Sequence, residues 1–101
     1  MAKMKQYMIE KLSEINFRMA IHLGNANARL ASEARKIRLL PPSEVPEQFK
    51  PDYAELIELI NEEIKNLSNS GLELSRFTHI RNRTAAKYIK LLYDIERSVK
   101  D

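Results

Sequence analysis

Apolar residues recur through the first forty residues at the spacing of one face of an α-helix. The steps between them are three or four residues, as in a straight helix with about 3.6 residues per turn. We therefore predict one long helix from about residue 2 to about residue 39. Its main apolar stripe consists of Met8, Leu12, Ile15, Met19, Leu23, Ala26, Leu30, Ala34 and Ile37.

A second apolar strip lies on the opposite side of the same predicted helix. An exposed apolar strip of this kind usually marks an interface, and small residues let a second helix approach closely. We predict that the strip mediates self-association into a dimer or a higher oligomer. The alternative is that another helix of the same chain covers it and the protein stays monomeric. The strip consists of Phe17, Ile21, Gly24, Ala28 and Ala31.

Four prolines interrupt the helical pattern after the first predicted helix, and two shorter helices follow. Each proline lacks a backbone donor, which favours a linker over residues 40–51. Apolar spacing and capping residues predict helices over about residues 52–68 and 71–99, joined as an antiparallel hairpin. No segment alternates as a strand does. The sequence thus predicts a single all-α domain over residues 1–101, a three-helix bundle that assembles into a larger bundle as an oligomer.

Basic residues line one face of the third predicted helix, although the net charge of the whole chain is only +3. Such a stripe can follow a phosphate backbone, which makes nucleic-acid binding the alternative function. A solvated polar face is the commoner explanation, and no helix-turn-helix, zinc-finger or base-stacking motif accompanies it. The stripe consists of Arg76, His79, Arg83, Lys87 and Lys90.

Two opposite charges interrupt the apolar stripes of helices that we expect to pack together. Glu33 lies in the stripe of the first predicted helix, and Arg81 lies in that of the third. Because an unpaired charge in an apolar setting is costly, we predict a Glu33–Arg81 ion pair that fixes the helix register. The alternative is that Arg81 binds the carboxylate or phosphate of a ligand. Of the four tyrosines, Tyr7 and Tyr93 lie off the apolar faces and suit an interface.

Composition excludes several kinds of chemistry. The chain has no cysteine and two histidines without a metal-ligand spacing, so we expect no disulfide, no metal and no cofactor. No converging Ser, His and Asp are evident, so we expect no enzyme. Charges interrupt every apolar segment near the start and along the helices, which argues against an export signal and a membrane span. We therefore expect a small soluble cytoplasmic protein that binds itself and another protein.

Overall fold

The computed structural model describes residues 2–68, 77, 78 and 80–100, and these residues form helices and turns without any strand. This confirms the all-α class, and the described part of the chain contains five α-helices where the sequence predicted three in all. Short 3₁₀ turns at Pro42–Glu44 and Glu47–Phe49 occupy the predicted linker. The helices are α1 (Ala2–Ile21), α2 (Ala26–Ser32), α3 (Ala34–Ile37), α4 (Lys50–Ser68) and α5 (Asn82–Lys100).

The prediction of one unbroken helix over residues 2–39 is wrong, because the chain leaves the helical path between α1 and α2. The Gly24 N–H donates to His22 Nδ1 at 2.8 Å. Asn25 has an extended backbone, and its side chain accepts from the Ala28 N–H at 2.9 Å as the N-cap of α2. Glycine is a poor helix former and asparagine a good N-cap, so these two neighbours favour a new helix start over continuation.

A smaller break separates α2 from α3 at Glu33. Its φ and ψ of −107° and 5° depart from helical values, while its N–H still donates to carbonyl oxygens of the preceding turn. The apolar residues on both sides of the break nevertheless face one core, because Leu30, Ala34 and Ile37 are all fully buried. The apolar spacing therefore identified these three core residues correctly, although the helix is interrupted between them.

The third predicted helix, over residues 71–99, also begins later than expected. The first backbone bond of α5 runs from the Ala85 N–H to the Arg81 carbonyl at 2.9 Å, and α5 continues to Lys100. The described residues just before it are not helical, because side chains from other elements bind their backbone. Residues 69–76, where we predicted the turn and the first part of this helix, lie outside the described residues.

Two side chains hold the segment that precedes α5. Asn27 in α2 donates through Nδ2 to the carbonyl oxygens of Phe77 and Ile80, at 3.0 and 2.6 Å. The buried carboxylate of Glu63 in α4 accepts from the N–H and the hydroxyl of Thr78, at 3.1 and 3.0 Å. These bonds take up backbone groups that a longer helix would have paired internally, so α5 begins only after them.

α5 is the element around which the core is arranged. It packs most extensively against α1 and α2, and less against α4. The second predicted helix is close to the observed α4, which begins two residues earlier, at Lys50. The largest fully buried apolar side chains come from α1 to α5 and the loop after α3: Met8, Leu12, Ile15, Met19, Leu30, Ile37, Leu40, Leu56, Ile60, Leu92 and Ile95.

Candidate interaction surfaces

The predicted self-association strip does not form one continuous face. Phe17 and Ile21 are exposed on α1, by 65% and 61%, but Ala31 is buried in the core on α2. Because the chain turns at Gly24, residues that a straight helix would align lie on different elements. Leu23, which we assigned to the main buried stripe, is instead fully exposed in this turn.

The small size of Gly24 serves the turn within the chain. A Cβ atom added there would lie 2.7 Å from His22 Cε1 and 2.9 Å from the Ala28 Cβ, closer than side chains normally approach. We had assigned Gly24 and Ala28 to a close approach between two copies. In the structure, the tight contact is between these residues of the same chain.

Three large apolar side chains remain uncovered at the C-terminal end of α1 and in the turn that follows. We call Phe17, Ile21 and Leu23 the apolar end patch, and the exposed Ala20 lies beside them. Residues 19–28 contain no lysine, arginine, aspartate or glutamate. Arg18 is thus the one charged residue among residues 17–28, which include the whole patch.

Glu33 is buried, but it forms its ion pair with Arg18. The predicted Glu33–Arg81 ion pair is therefore wrong. Arg18 Nε lies 2.7 Å from Glu33 Oε1, and the Arg18 side chain is partly exposed. The turn at Gly24 brings α2 back alongside α1, so that Glu33 faces α1. Arg81 stands just before α5, outside its apolar stripe, and is exposed.

Arg81 lines a polar groove of about 750 Å³ between the start of α2 and the start of α5. Asn27 and Asn82 line the same groove, and the Asn27 N–H donates to Asn82 Oδ1 at 3.0 Å. The polar side chains here hold the two elements together. The alternative that Arg81 binds an anionic ligand stays a prediction.

The described part of the basic stripe lies on one exposed face of α5, next to carboxylates. Lys90 Nζ lies 2.8 Å from Asp94 Oδ2, and Lys87 Nζ is 5.5 Å from the centre of the Tyr88 ring. Asp52 lines the same shallow cavity as both lysines. Arg83 is exposed at the start of the stripe, whereas the remaining two members, Arg76 and His79, lie outside the described residues.

The pKa of Tyr88 reports on the charge around this face. Burial raises the pKa of the phenol, and the carboxylates of Glu55 and Asp52 raise it further. Negative charge from α4 therefore reaches the basic side of α5. A polyanion approaching the lysines would meet these carboxylates as well.

A polar network joins α1 to α5. Glu96 accepts from Ser13 at 2.8 Å, from Asn16 at 2.7 Å and from Lys100 at 2.5 Å. Partial burial raises the pKa of Glu96, but the hydrogen bonds from Asn16, Lys100 and Ser13 and the charge of Lys100 outweigh it, so the pKa is lowered. Tyr93 donates to the backbone carbonyl of Asn16, at 3.2 Å. Tyr93 thus belongs to this network, whereas Tyr7 is 41% exposed.

Within the described ranges, no three histidine, aspartate or glutamate side chains are grouped so that they could hold a metal ion. Nor does any helix there combine the length and apolarity needed to cross a membrane. Comparison of the chain with protein-family models, curated proteins and solved structures finds no match.

Proposed function

We propose that this is a non-enzymatic cytoplasmic protein that acts by binding protein, and that a second copy of the chain occupies the apolar end patch. The observation that carries the proposal is the exposure of Phe17, Ile21 and Leu23. Burial of one such side chain contributes about 1.5 to 3 kcal/mol. A symmetric contact buries three of them from each copy, which favours association substantially.

The charge pattern favours a second copy as the occupant. In a two-fold symmetric contact the same patch meets itself, so any charge within it would face its own copy. Residues 19–28 carry no formal charge. Arg18, the nearest cation in sequence, pairs with the buried Glu33 and lies 3.9 Å from Glu14. Arg29, the next cation along the chain, donates through Nε to the Gly24 carbonyl at 2.8 Å. Self-contact therefore brings few charges together, and the carboxylates of Glu14 and Glu33 balance that of Arg18.

Nucleic-acid binding through α5 has less support. Of the described members of the basic stripe, Lys90 pairs with Asp94 and Lys87 lies over Tyr88. Pairing with a carboxylate removes charge that phosphate binding would need, since affinity for nucleic acid grows with the number of phosphates neutralised. No apolar surface comparable to the end patch adjoins the stripe among the described residues.

Sedimentation equilibrium tests the proposal. We expect the protein at micromolar concentration to have a mass of at least twice the 11.8 kDa of one chain. Ile21→Glu should shift it to the monomer, because two glutamates would then face each other in a desolvated contact. Ala86→Glu is the matched control, since it places the same charge on an exposed position of α5.

A monomeric wild-type protein would overturn the proposal. An oligomer that resists Ile21→Glu, or one that Ala86→Glu dissociates equally, would show that the interface lies elsewhere. Circular dichroism of both variants separates loss of association from loss of folding, because both positions are exposed and neither contributes to the core.

A further inference from the structure

A small pocket with an apolar floor lies between α1 and the end of α3, and has a volume of about 210 Å³. The buried side chains of Ile15 and Leu40 form its floor. Tyr7 and Leu39 line it as well, and they are large apolar side chains exposed by 41% and 71%. The apolar surface therefore continues from the pocket onto its rim.

Cations surround this apolar pocket. Lys11, Arg18 and Lys36 line it, with Glu14 as the one carboxylate. Glu14 lies 3.8 Å from Lys11 Nζ and 3.9 Å from Arg18 Nη1, so two cations share its charge. Lys36 is exposed and has no ion pair among the residues that the structure describes. Arg18 also pairs with the buried Glu33, so the three cations exceed these two carboxylates by one charge. Lys36 is available to bind an acid.

We propose that this α1–α3 pocket binds an acidic segment of another protein, which inserts one large apolar side chain between Tyr7 and Leu39. Carboxylates on either side of the inserted residue pair with Lys36 and Lys11. Insertion of an apolar anchor into a pocket with a complementary charged rim is a common form of protein recognition. The proposal concerns a different surface from the apolar end patch and does not depend on self-association.

The size of the pocket favours a side chain over a small-molecule ligand. Ligand pockets usually have volumes of about 300 to 1,000 Å³, above that of this one. The exposed Leu39 adds apolar surface outside the cavity, which a chain segment can cover and a small ligand cannot. A nucleic acid fits less well, because Glu14 lies among the cations and apolar side chains separate them.

The test uses a short synthetic peptide in which one leucine is flanked by glutamates, labelled for fluorescence anisotropy. We expect it to bind, with an affinity that falls as salt rises. Lys36→Glu and, separately, Leu39→Ser should each weaken binding about tenfold. Replacing the leucine of the peptide by alanine should do the same.

Lys87→Glu is the matched control for Lys36→Glu, because it reverses one exposed charge on α5 and leaves the pocket intact. It should bind the peptide as the wild type does, and so should Ile21→Glu, whatever its oligomeric state. Thermal melts should confirm that Lys36→Glu and Leu39→Ser are folded, since both side chains are exposed.

Three results would overturn the proposal. The first is no binding of the peptide at millimolar concentration. The second is binding that Lys36→Glu and Lys87→Glu weaken equally, which would indicate a general charge effect. The third is tighter binding of single-stranded DNA or of phosphatidylserine vesicles than of the peptide, with the same dependence on Lys36, which would assign the surface to a different partner.

Discussion

The stability of the core depends on pH through one buried polar group, the hydroxyl of Tyr53. Its ring is buried on α4, and its hydroxyl donates to the Ile37 carbonyl at the end of α3, at 3.2 Å. Burial raises the pKa of this phenol from 10.0 to about 12. The neutral form is favoured in the folded protein because the phenolate would lose its hydration and could not donate to the carbonyl.

Tyr53 should therefore make the folded state sensitive to alkali. Its contribution is fully present below pH 10.0, where it ionises when unfolded, and is lost as pH rises towards about 12. A shift of this size corresponds to about 2 to 3 kcal/mol. We expect the free energy of unfolding in urea to fall more steeply over this range in the wild type than in Tyr53→Phe. Equal slopes would contradict the assignment, because the two proteins differ only in this hydroxyl.

At the residue scale, the sequence predicted which side chains are buried better than it predicted their ion-pair partners. The position of Glu33 in an apolar stripe indicated a charge that needs a partner, and the residue is buried. The stripe alone could not identify Arg18, because that pairing depends on the direction of the chain after Gly24. Leu23 was misplaced for the same reason, since a straight helix would have buried it.

At the scale of elements, local signals decide where helices start. Proline and a clear apolar face indicated α4 to within two residues of its observed start. The Gly24-Asn25 pair carried an equally local signal for the start of α2, but we predicted one continuous helix from the regular apolar spacing on both sides of it. The periodicity of apolar residues indicates which side of a helix is buried. It does not reveal a turn when the apolar spacing is the same on both sides of that turn.

The N-cap of α2 gives a prediction at this scale. Asn25→Ala removes the side-chain oxygen that accepts from the Ala28 N–H. We expect the free energy of unfolding to fall by about 1 kcal/mol, the usual contribution of such a cap. Asn61→Ala, at an exposed position in the middle of α4, is the control and should change it by less than about 0.5 kcal/mol. A variant as stable as the wild type would show that the cap does not maintain the break.

At the scale of the whole molecule, the sequence did not show which polar contacts hold the helices together. We expected α4 and α5 to form a hairpin against the first helix, and α5 does pack mainly on α1 and α2, which lie within that predicted helix, and less on α4. That arrangement depends on polar contacts between distant residues, such as Asn27 with the segment before α5. Residue types along one helix do not indicate such partners. The candidate pocket between α1 and α3 was missed for the same reason, although the sequence did mark Tyr7 as suited to an interface.

Replacing the half-buried Asn27 should therefore lower the global stability of the protein. Asn27→Ala would leave the carbonyl oxygens of Phe77 and Ile80 and the N–H of Phe77 without their partner. We expect a loss of about 2 to 3 kcal/mol in the free energy of unfolding, measured with urea against Asn61→Ala. A loss no larger than that of the control would mean that water replaces the side chain at little cost.

The network between α1 and α5 has a consequence for how a newly made chain folds. Ser13 and Glu96 are 83 positions apart, and Asn16 and Leu92 are 76 apart. Contacts this distant in sequence require closure of nearly the whole chain, which costs loop entropy and slows folding relative to helical proteins with mainly local contacts. During synthesis, the apolar face of α1 therefore stays exposed until α5, against which it packs, has been translated. In that interval α1 is open to capture by other nascent chains or by a chaperone.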